Sequence, residues 1–135
     1  LTGNRRLLHV PVGYAPLLTR IPADAPQDID VLFYGSLNPR RQRVLDDLRS
    51  RGLRVRAAFG VYGAERDELI ARARVVLNLH YYDTRIFEAV RVSYLLANRK
   101  AVVAECGPGT EVDDWLRGAA CLVEYEALAD ACEAL

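Results

Sequence analysis

The sequence predicts an α/β domain: a parallel sheet of about five strands with helices on both faces. Three observations lead there. From Ile29 onward, short apolar runs alternate with segments of helical period to the end of the chain, the pattern of strands joined by crossover helices. Four of those runs are nearly continuous rather than alternating, as strands buried on both faces are. The chain has 135 residues, 51% hydrophobic and 27% charged, a length and balance that bury one real core.

The elements follow in order. A first strand is expected over 29–34. Asn38 then offers an N-cap, Pro39 stands at the first helical position, Val44, Leu45 and Leu48 share one face, and Gly52 stops the helix. The second strand, 53–59, alternates through Leu53-Arg54-Val55-Arg56-Ala57 and reads as an edge strand. A helix over 64–73 carries Glu65, Asp67 and Glu68 near its start, where carboxylates complement the helix dipole. The third strand is placed at 75–79. The longest helix follows over 84–98, its wide apolar stripe formed by Ile86, Phe87, Val90, Tyr94, Leu95 and Ala97. A fourth strand (101–104), a short helix (113–117), a fifth strand (121–125) and a terminal helix (126–135) complete a Rossmann-like, doubly wound layer structure with right-handed crossovers. Residues 1–28 hold four of the six prolines and read as a lead-in or inter-domain segment, with 7–12 as a short strand; 29–135 form the domain proper.

Composition excludes several function classes. Eighteen Lys plus Arg balance eighteen Asp plus Glu, so no net field draws the domain to nucleic acid. No apolar run approaches the roughly 20 residues that cross a bilayer, and no signal peptide is visible. Cys106, Cys121 and Cys132 form an odd set without a CxxC pair, which speaks against a disulfide scaffold or structural zinc and for a cytoplasmic setting. The chain begins with Leu1 and contains no methionine, so it is expected to be a piece of a longer or processed protein.

Ligands of doubly wound sheets bind beyond the carboxyl ends of the strands, so the loops there carry the functional reading. After the first strand, Tyr34-Gly35-Ser36-Leu37-Asn38-Pro39-Arg40-Arg41 is a glycine turn into a capped helix, where backbone N–H groups with Arg40 or Arg41 can hold phosphate oxygens; a strand-to-helix turn also needs glycine for purely structural reasons. The dinucleotide fingerprint GxGxxG is absent, which disfavours an oxidoreductase. Gly60-Val61-Tyr62-Gly63 leads instead into an acidic helix, a poor cradle for diphosphate, and this loop with Val61 and Tyr62 can instead lend backbone groups to a flat nucleobase. After the third strand, His80-Tyr81-Tyr82-Asp83-Thr84-Arg85-Ile86-Phe87-Glu88 gathers an imidazole, two phenols, a guanidinium and two carboxylates around one helix start. Arg85 can pair with an anion, the aromatic rings can stack, and Glu88 can accept from ribose hydroxyls. The plain structural alternative is a solvated i,i+3 ion pair for Glu88 and a satisfied core imidazole for His80. The loop holding Glu105, Cys106 and Glu111 borders a ligand or merely crosses the surface. No nucleophile-elbow, P-loop or zinc-ligand spacing is present.

The run Ile29-Asp30-Val31-Leu32-Phe33-Tyr34-Gly35-Ser36-Leu37, the segment Phe59-Gly60-Val61-Tyr62-Gly63, and Arg85-Ile86-Phe87-Glu88-Ala89 followed by Lys100-Ala101-Val102-Val103-Ala104 resemble the C-terminal half of GT-B-type glycosyltransferases, more narrowly the group 1 enzymes of bacterial polysaccharide and glycan assembly. The resemblance covers about residue 12 to the end. It implies a donor-binding domain whose acceptor-binding partner is a missing N-terminal half. The ligand would be a nucleotide sugar, used as substrate, with a glycan or other acceptor and with no separate cofactor or metal. By position, Gly35 and Ser36 match the loop that contacts the donor diphosphate, Arg40 or Arg41 falls near its basic residue, and Glu88 matches the carboxylate that holds ribose or sugar. The candidate donor-binding set is thus Gly35, Ser36, Arg40, Arg41, Val61, Tyr62, His80, Tyr81, Arg85, Ile86, Phe87 and Glu88, with Arg85 stabilising the leaving group. Asn98-Arg99-Lys100 stands where that family has a small Ala-Gly pair. The full-length protein would then be cytoplasmic or peripheral at the inner membrane, and the carboxyl edge of the sheet should expose an apolar flank. The alternative is a non-catalytic Rossmann-like nucleotide-binding or interaction module.

Overall fold

The computed structural model of the protein describes residues 8, 10–82 and 86–135. Five strands, β1 (Ile29–Tyr34), β2 (Val55–Ala58), β3 (Ala73–Asn78), β4 (Ala101–Glu105) and β5 (Cys121–Val123), form one sheet in the order β2-β1-β3-β4-β5. Every pairing is parallel, and Val31 at the centre of β1 faces Val55 on one side and Val75 on the other. Five helices connect or follow the strands: α1 (Pro39–Ser50), α2 (Gly63–Arg72), α3 (Ala89–Ala97), α4 (Asp114–Arg117) and α5 (Leu128–Ala134).

Strand order fixes where the helices lie. The chain steps one way from β1 to β2 and back past β1 to reach β3, so crossovers of one hand place α1 and α2 on opposite faces. Val31, Phe33, Val75, Leu77 and Val103 pack with Val44, Leu45 and Leu48 of α1 and with Leu128 and Cys132 of α5. Ile29, Leu32, Val76, Val102 and Ala104 pack on the other face with Ile70 of α2, Val92 and Leu95 of α3 and Leu116 of α4. This is the doubly wound, Rossmann-like architecture that the alternating pattern predicts.

The expected punctuation of α1 is present. The Asn38 side chain accepts from the Arg41 main-chain N–H at 2.9 Å, Pro39 opens the helix, and Gly52 follows it with φ +84°, a left-handed conformation that favours glycine.

Several boundaries differ from expectation. The third helix begins at Ala89, not 84. Glu88 holds a non-helical ψ of 63° and the Ala89 N–H turns back to the Phe87 carbonyl at 3.0 Å, so residues 86–88 form a turn ahead of the helix. Strand β3 starts two residues early because Ala73 pairs with Ile29. The fifth strand stops at Val123, and a single 3-10 turn at Tyr125–Ala127 leads into α5.

The expected strand over 7–12 is absent from the described part of that segment, which has no neighbouring strand to pair with. The lead-in instead forms one 3-10 turn at Pro16–Leu18 and is then clamped by Asn98. Its Oδ1 accepts from the Arg20 and Ile21 main-chain N–H groups, both at 2.9 Å, while its Nδ2 donates to the Leu18 and Tyr94 carbonyls. The next residue, Arg99, has φ +58°, the left-handed position that commonly ends a helix and that glycine fills at least cost.

Candidate functional site

The strand order reverses between β1 and β3, whose outgoing chains leave toward opposite faces and open a crevice at their carboxyl ends. A cleft of about 1210 Å³ occupies that place. Its floor is Tyr34, Gly35 and Ser36. One wall comes from Phe59, Gly60, Val61, Tyr62 and Arg66, the other from Tyr81, Tyr82, Phe87, Glu88, Arg91 and Tyr94, and Val12, Leu18 and Arg20 of the lead-in close one end. Gly35 has φ +140°; an added Cβ would find its nearest atoms at ordinary contact distance, Arg41 Nη1 at 3.6 Å, so conformation and not space is what calls for glycine.

Arg41 is the internal brace of the cleft. It is buried, and its guanidinium donates to the Ser36 carbonyl at 2.7 Å, to the His80 carbonyl at 3.3 Å and to the Leu79 carbonyl. It also lies 5.1 Å from the ring centres of both Phe33 and Tyr81 and 3.9 Å from Glu88. Burial pushes its pKa down, against the pull of the Glu88 carboxylate. Asn38 adds a second tie between the two loops, donating to the Tyr81 carbonyl at 2.9 Å.

Glu88 stands just before α3 but does not cap it. Its carboxylate accepts from Arg91 Nε at 2.9 Å, and Arg91 in turn donates to the Tyr34 carbonyl at 3.2 Å with its guanidinium 4.8 Å from the Tyr34 ring centre. Burial raises the Tyr34 phenol, opposed by the Arg91 charge.

At the far end, Tyr94 donates to Asp67 at 2.8 Å while Arg66 and Arg20 both pair with that carboxylate and flank the Tyr94 ring, 4.6 and 5.6 Å from its centre. Burial alone would raise the Asp67 carboxyl; the Arg66 and Tyr94 hydrogen bonds outweigh it and hold Asp67 below the usual carboxylate range.

Of the expected set, Gly35, Ser36, Arg41, Val61, Tyr62, Tyr81, Phe87 and Glu88 meet in this one cleft. Arg40, His80 and Ile86 are not among its lining residues. Arg40 turns to the β4 end, where it forms a two-pronged pair with the buried Glu105 and lies 3.9 Å from the Tyr125 ring centre. Burial would raise Glu105, but Arg40 and the His80 main-chain N–H hold it ionised. His80 is buried, with both ring nitrogens against main-chain carbonyls, the satisfied imidazole of the structural alternative. Ile86 is exposed outside the cleft. Arg85, and with it the expected helix start at Thr84, lies outside the described residues.

Sequence reasoning missed Tyr34, Phe59, Arg66, Arg91, Tyr94 and Arg20 as cleft-lining groups. Tyr34 and Phe59 had a legible signal, since each is an aromatic at the carboxyl end of an expected strand. Arg20 had none, because its place depends on the Asn98 clamp.

No family model matches the chain. An uncharacterized protein of Acanthamoeba polyphaga mimivirus is 33% identical over 97 residues, covering 67% of this chain and 11% of the viral protein. A second from the same virus is 30% identical over 111 residues, 78% of this chain and 36% of the relative. A third is 28% identical over 142 aligned positions, 98% of this chain and 48% of the relative. The chain therefore spans less than half the length of each of these curated relatives.

Proposed function

We propose that the cleft binds the nucleoside diphosphate portion of a nucleotide sugar, and that the domain is the donor-binding half of a GT-B-like glycosyltransferase that passes the sugar to a glycan or other acceptor. The observation that carries the reading is electrostatic. A chain with no net charge gathers Arg20, Arg66 and Arg91 around a single cleft, with the buried Arg41 beneath it, against two carboxylates among the described residues: Glu88 in the lining and Asp67 behind Arg20 and Arg66. Such a concave cationic site favours a polyanion at the topological switch point.

The lining residues divide the work. Arg91 and the turn before α3 face the place where a leaving diphosphate gathers charge, and stabilising that charge is how such a site lowers the barrier. Phe59 and Tyr62, 74% and 78% exposed, offer ring faces on which a nucleobase can stack. Glu88, positioned by Arg91 and Arg41, is an acceptor for ribose hydroxyls. The exposed Phe59, Tyr62 and Val90, all lining the cleft, also give its mouth an apolar character that suits closure against a second domain.

Calorimetric titration of the folded domain with UDP, GDP and ADP tests the reading. Binding by at least one, weakened by R66A or R91A, is expected; no binding by any would overturn it. One observation favours the second reading, a binding module without catalysis: Arg40 and Arg41, expected to meet phosphate, already spend their donors on Glu105 and on main-chain carbonyls. Glu88→Gln in a longer form separates the two: loss of glycosyl transfer with the change speaks for the donor-binding half, and a form that binds nucleotide without any glycosyl transfer speaks for the module.

A further inference from the structure

We infer that a second, apolar groove beside the cleft holds the hydrocarbon arm of an amphiphile whose phosphate head reaches into the cleft. That this amphiphile is the sugar acceptor rests on the transferase role proposed above; the fit of its arm to the groove does not.

The groove, of about 700 Å³, lies between residues 11–19 of the lead-in, the C-terminal half of α3 and Trp115 of α4. Its apolar walls include Val12, Leu18, Leu96, Ala97 and Trp115, and among the described residues it is lined by one charged side chain, Arg99, and by no carboxylate. Asn98 binds the Leu18 carbonyl and the Arg20 and Ile21 N–H groups, which ties the lead-in to the end of α3. The walls are therefore fixed by the fold.

The hydroxyls decide what kind of ligand fits. Thr19 Oγ1 donates to the Ala97 carbonyl at 2.8 Å, which spends its single proton, so the 2.9 Å contact between Tyr14 and Thr19 is a bond that Tyr14 donates. Ser93 Oγ donates to the Ala89 carbonyl at 2.6 Å. All three hydroxyl protons of the groove are used within the protein, and a glycan lying there would bury its oxygens without those donors to meet them. A hydrocarbon chain needs none.

Two observations join the groove to the cleft. Val12, Leu18 and Ser93 line both, so an arm in one continues into the other. At the end of the cleft that Val12 and Leu18 close, Arg20 and Arg66 share the single carboxylate of Asp67, and the Arg20 side chain is 55% exposed. That excess of positive charge draws an anionic head, while the arm leaves water for the groove. At about 1210 Å³ the cleft exceeds the roughly 300–1,000 Å³ of an ordinary ligand site, which leaves room for the head beside a nucleotide.

Trp115 is the chain's one tryptophan and is 44% exposed, so its emission reports on the groove directly. Alkyl phosphates of rising chain length, kept below their micellar concentrations, should blue-shift that emission and saturate. Affinity should rise about two- to fourfold per methylene, the upper figure being that of a fully buried CH₂. Inorganic phosphate should leave the emission unchanged, and decanol should bind about tenfold more weakly than decyl phosphate, the factor that one hydrogen bond to a charged group supplies. Gly13→Glu tests the place: a Cβ at Gly13 meets no atom within 4 Å, so thermal unfolding should stay where it is while the added carboxylate removes the chain-length dependence. An affinity that ignores chain length, an emission that responds only once micelles or vesicles are present, or a dimer in analytical ultracentrifugation that already buries Trp115, overturns the inference. Should Gly13→Glu fail to fold, the wild-type chain-length series decides alone. UDP titrated into the decyl phosphate complex should bind alongside it. If decyl phosphate binds and UDP does not, the groove stands and its acceptor role falls; if UDP alone binds, the groove inference falls and the donor site stands.

Discussion

The two edges of the sheet use the same residue types for opposite ends. At the amino edge polar groups close on one another: Arg54 forms a two-pronged pair with Asp30, Arg72 another with Asp28, Lys100 Nζ donates to the Ala71 and Ala73 carbonyls at 2.8 and 3.2 Å, and Asn98 makes four hydrogen bonds. At the carboxyl edge aromatic side chains stand in solvent and guanidiniums outnumber the carboxylates around the cleft. Polar groups pair at both edges, but only the carboxyl edge adds exposed rings and an excess of guanidiniums, so stability and recognition are separable by mutation.

The largest effect should come from the group where the edges' logics overlap. Glu105→Ala removes the buried carboxylate that pairs with Arg40 and accepts from the His80 N–H. Breaking a buried pair costs about 3–5 kcal/mol, and the partial exposure of Arg40 puts this one at the low end; a shift in the urea midpoint reads it. Acid should produce a related loss. Glu105 and Asp67 are held below the usual carboxylate range in the fold, so their stabilisation is complete above their unfolded values near pH ~4 and disappears as pH falls through the lower folded ones. Thermal melts at falling pH should show the decline, flatter in Glu105→Gln.

At the amino edge Asn98→Ala should cost about 2 kcal/mol, because the Arg20 and Ile21 N–H groups lose their acceptor; denaturant unfolding measures it. Combined Phe59→Ala and Tyr62→Ala should leave stability within about 0.5 kcal/mol while weakening nucleotide binding about tenfold, given ~1–3 kcal/mol per stacked base. Equal losses in both would erase the distinction between the edges. Arg54→Ala, on an ion pair with one exposed partner, should cost no more than about 1 kcal/mol and leave nucleotide affinity unchanged.

The layer order was legible because it rests on apolar periodicity and on caps such as Asn38 and Gly52, all local in sequence. Half-legible was the site. A doubly wound sheet sends the loops after β1 and β3 to one edge whatever their composition, so Gly35, Tyr81 and Glu88 were expected there and are there. Which arginine faces the cleft was not readable. Arg40 and Arg41 are neighbours, and the helical turn between them sends one to Glu105 and the other beneath Tyr81. The early helix start at 84 failed because the apolar stripe of α3 continues through Phe87 although the backbone turns there. Arg99 shows the reverse: the residue departs from the small pair of the resembled family, yet the backbone holds the left-handed turn that such a pair suits.

The central strand carries a consequence for how the chain acquires its shape. Val31 is made early, yet both of its partners, Val55 and Val75, come much later. No hairpin can shelter β1 in the meantime: β2 arrives only after α1, and β3 only after α2 as well. Loop closure of that length is slow, and a chain emerging from the ribosome holds one edge of β1 unpaired until β3 is out. Aggregation during synthesis, rather than instability of the finished fold, is the hazard this topology creates.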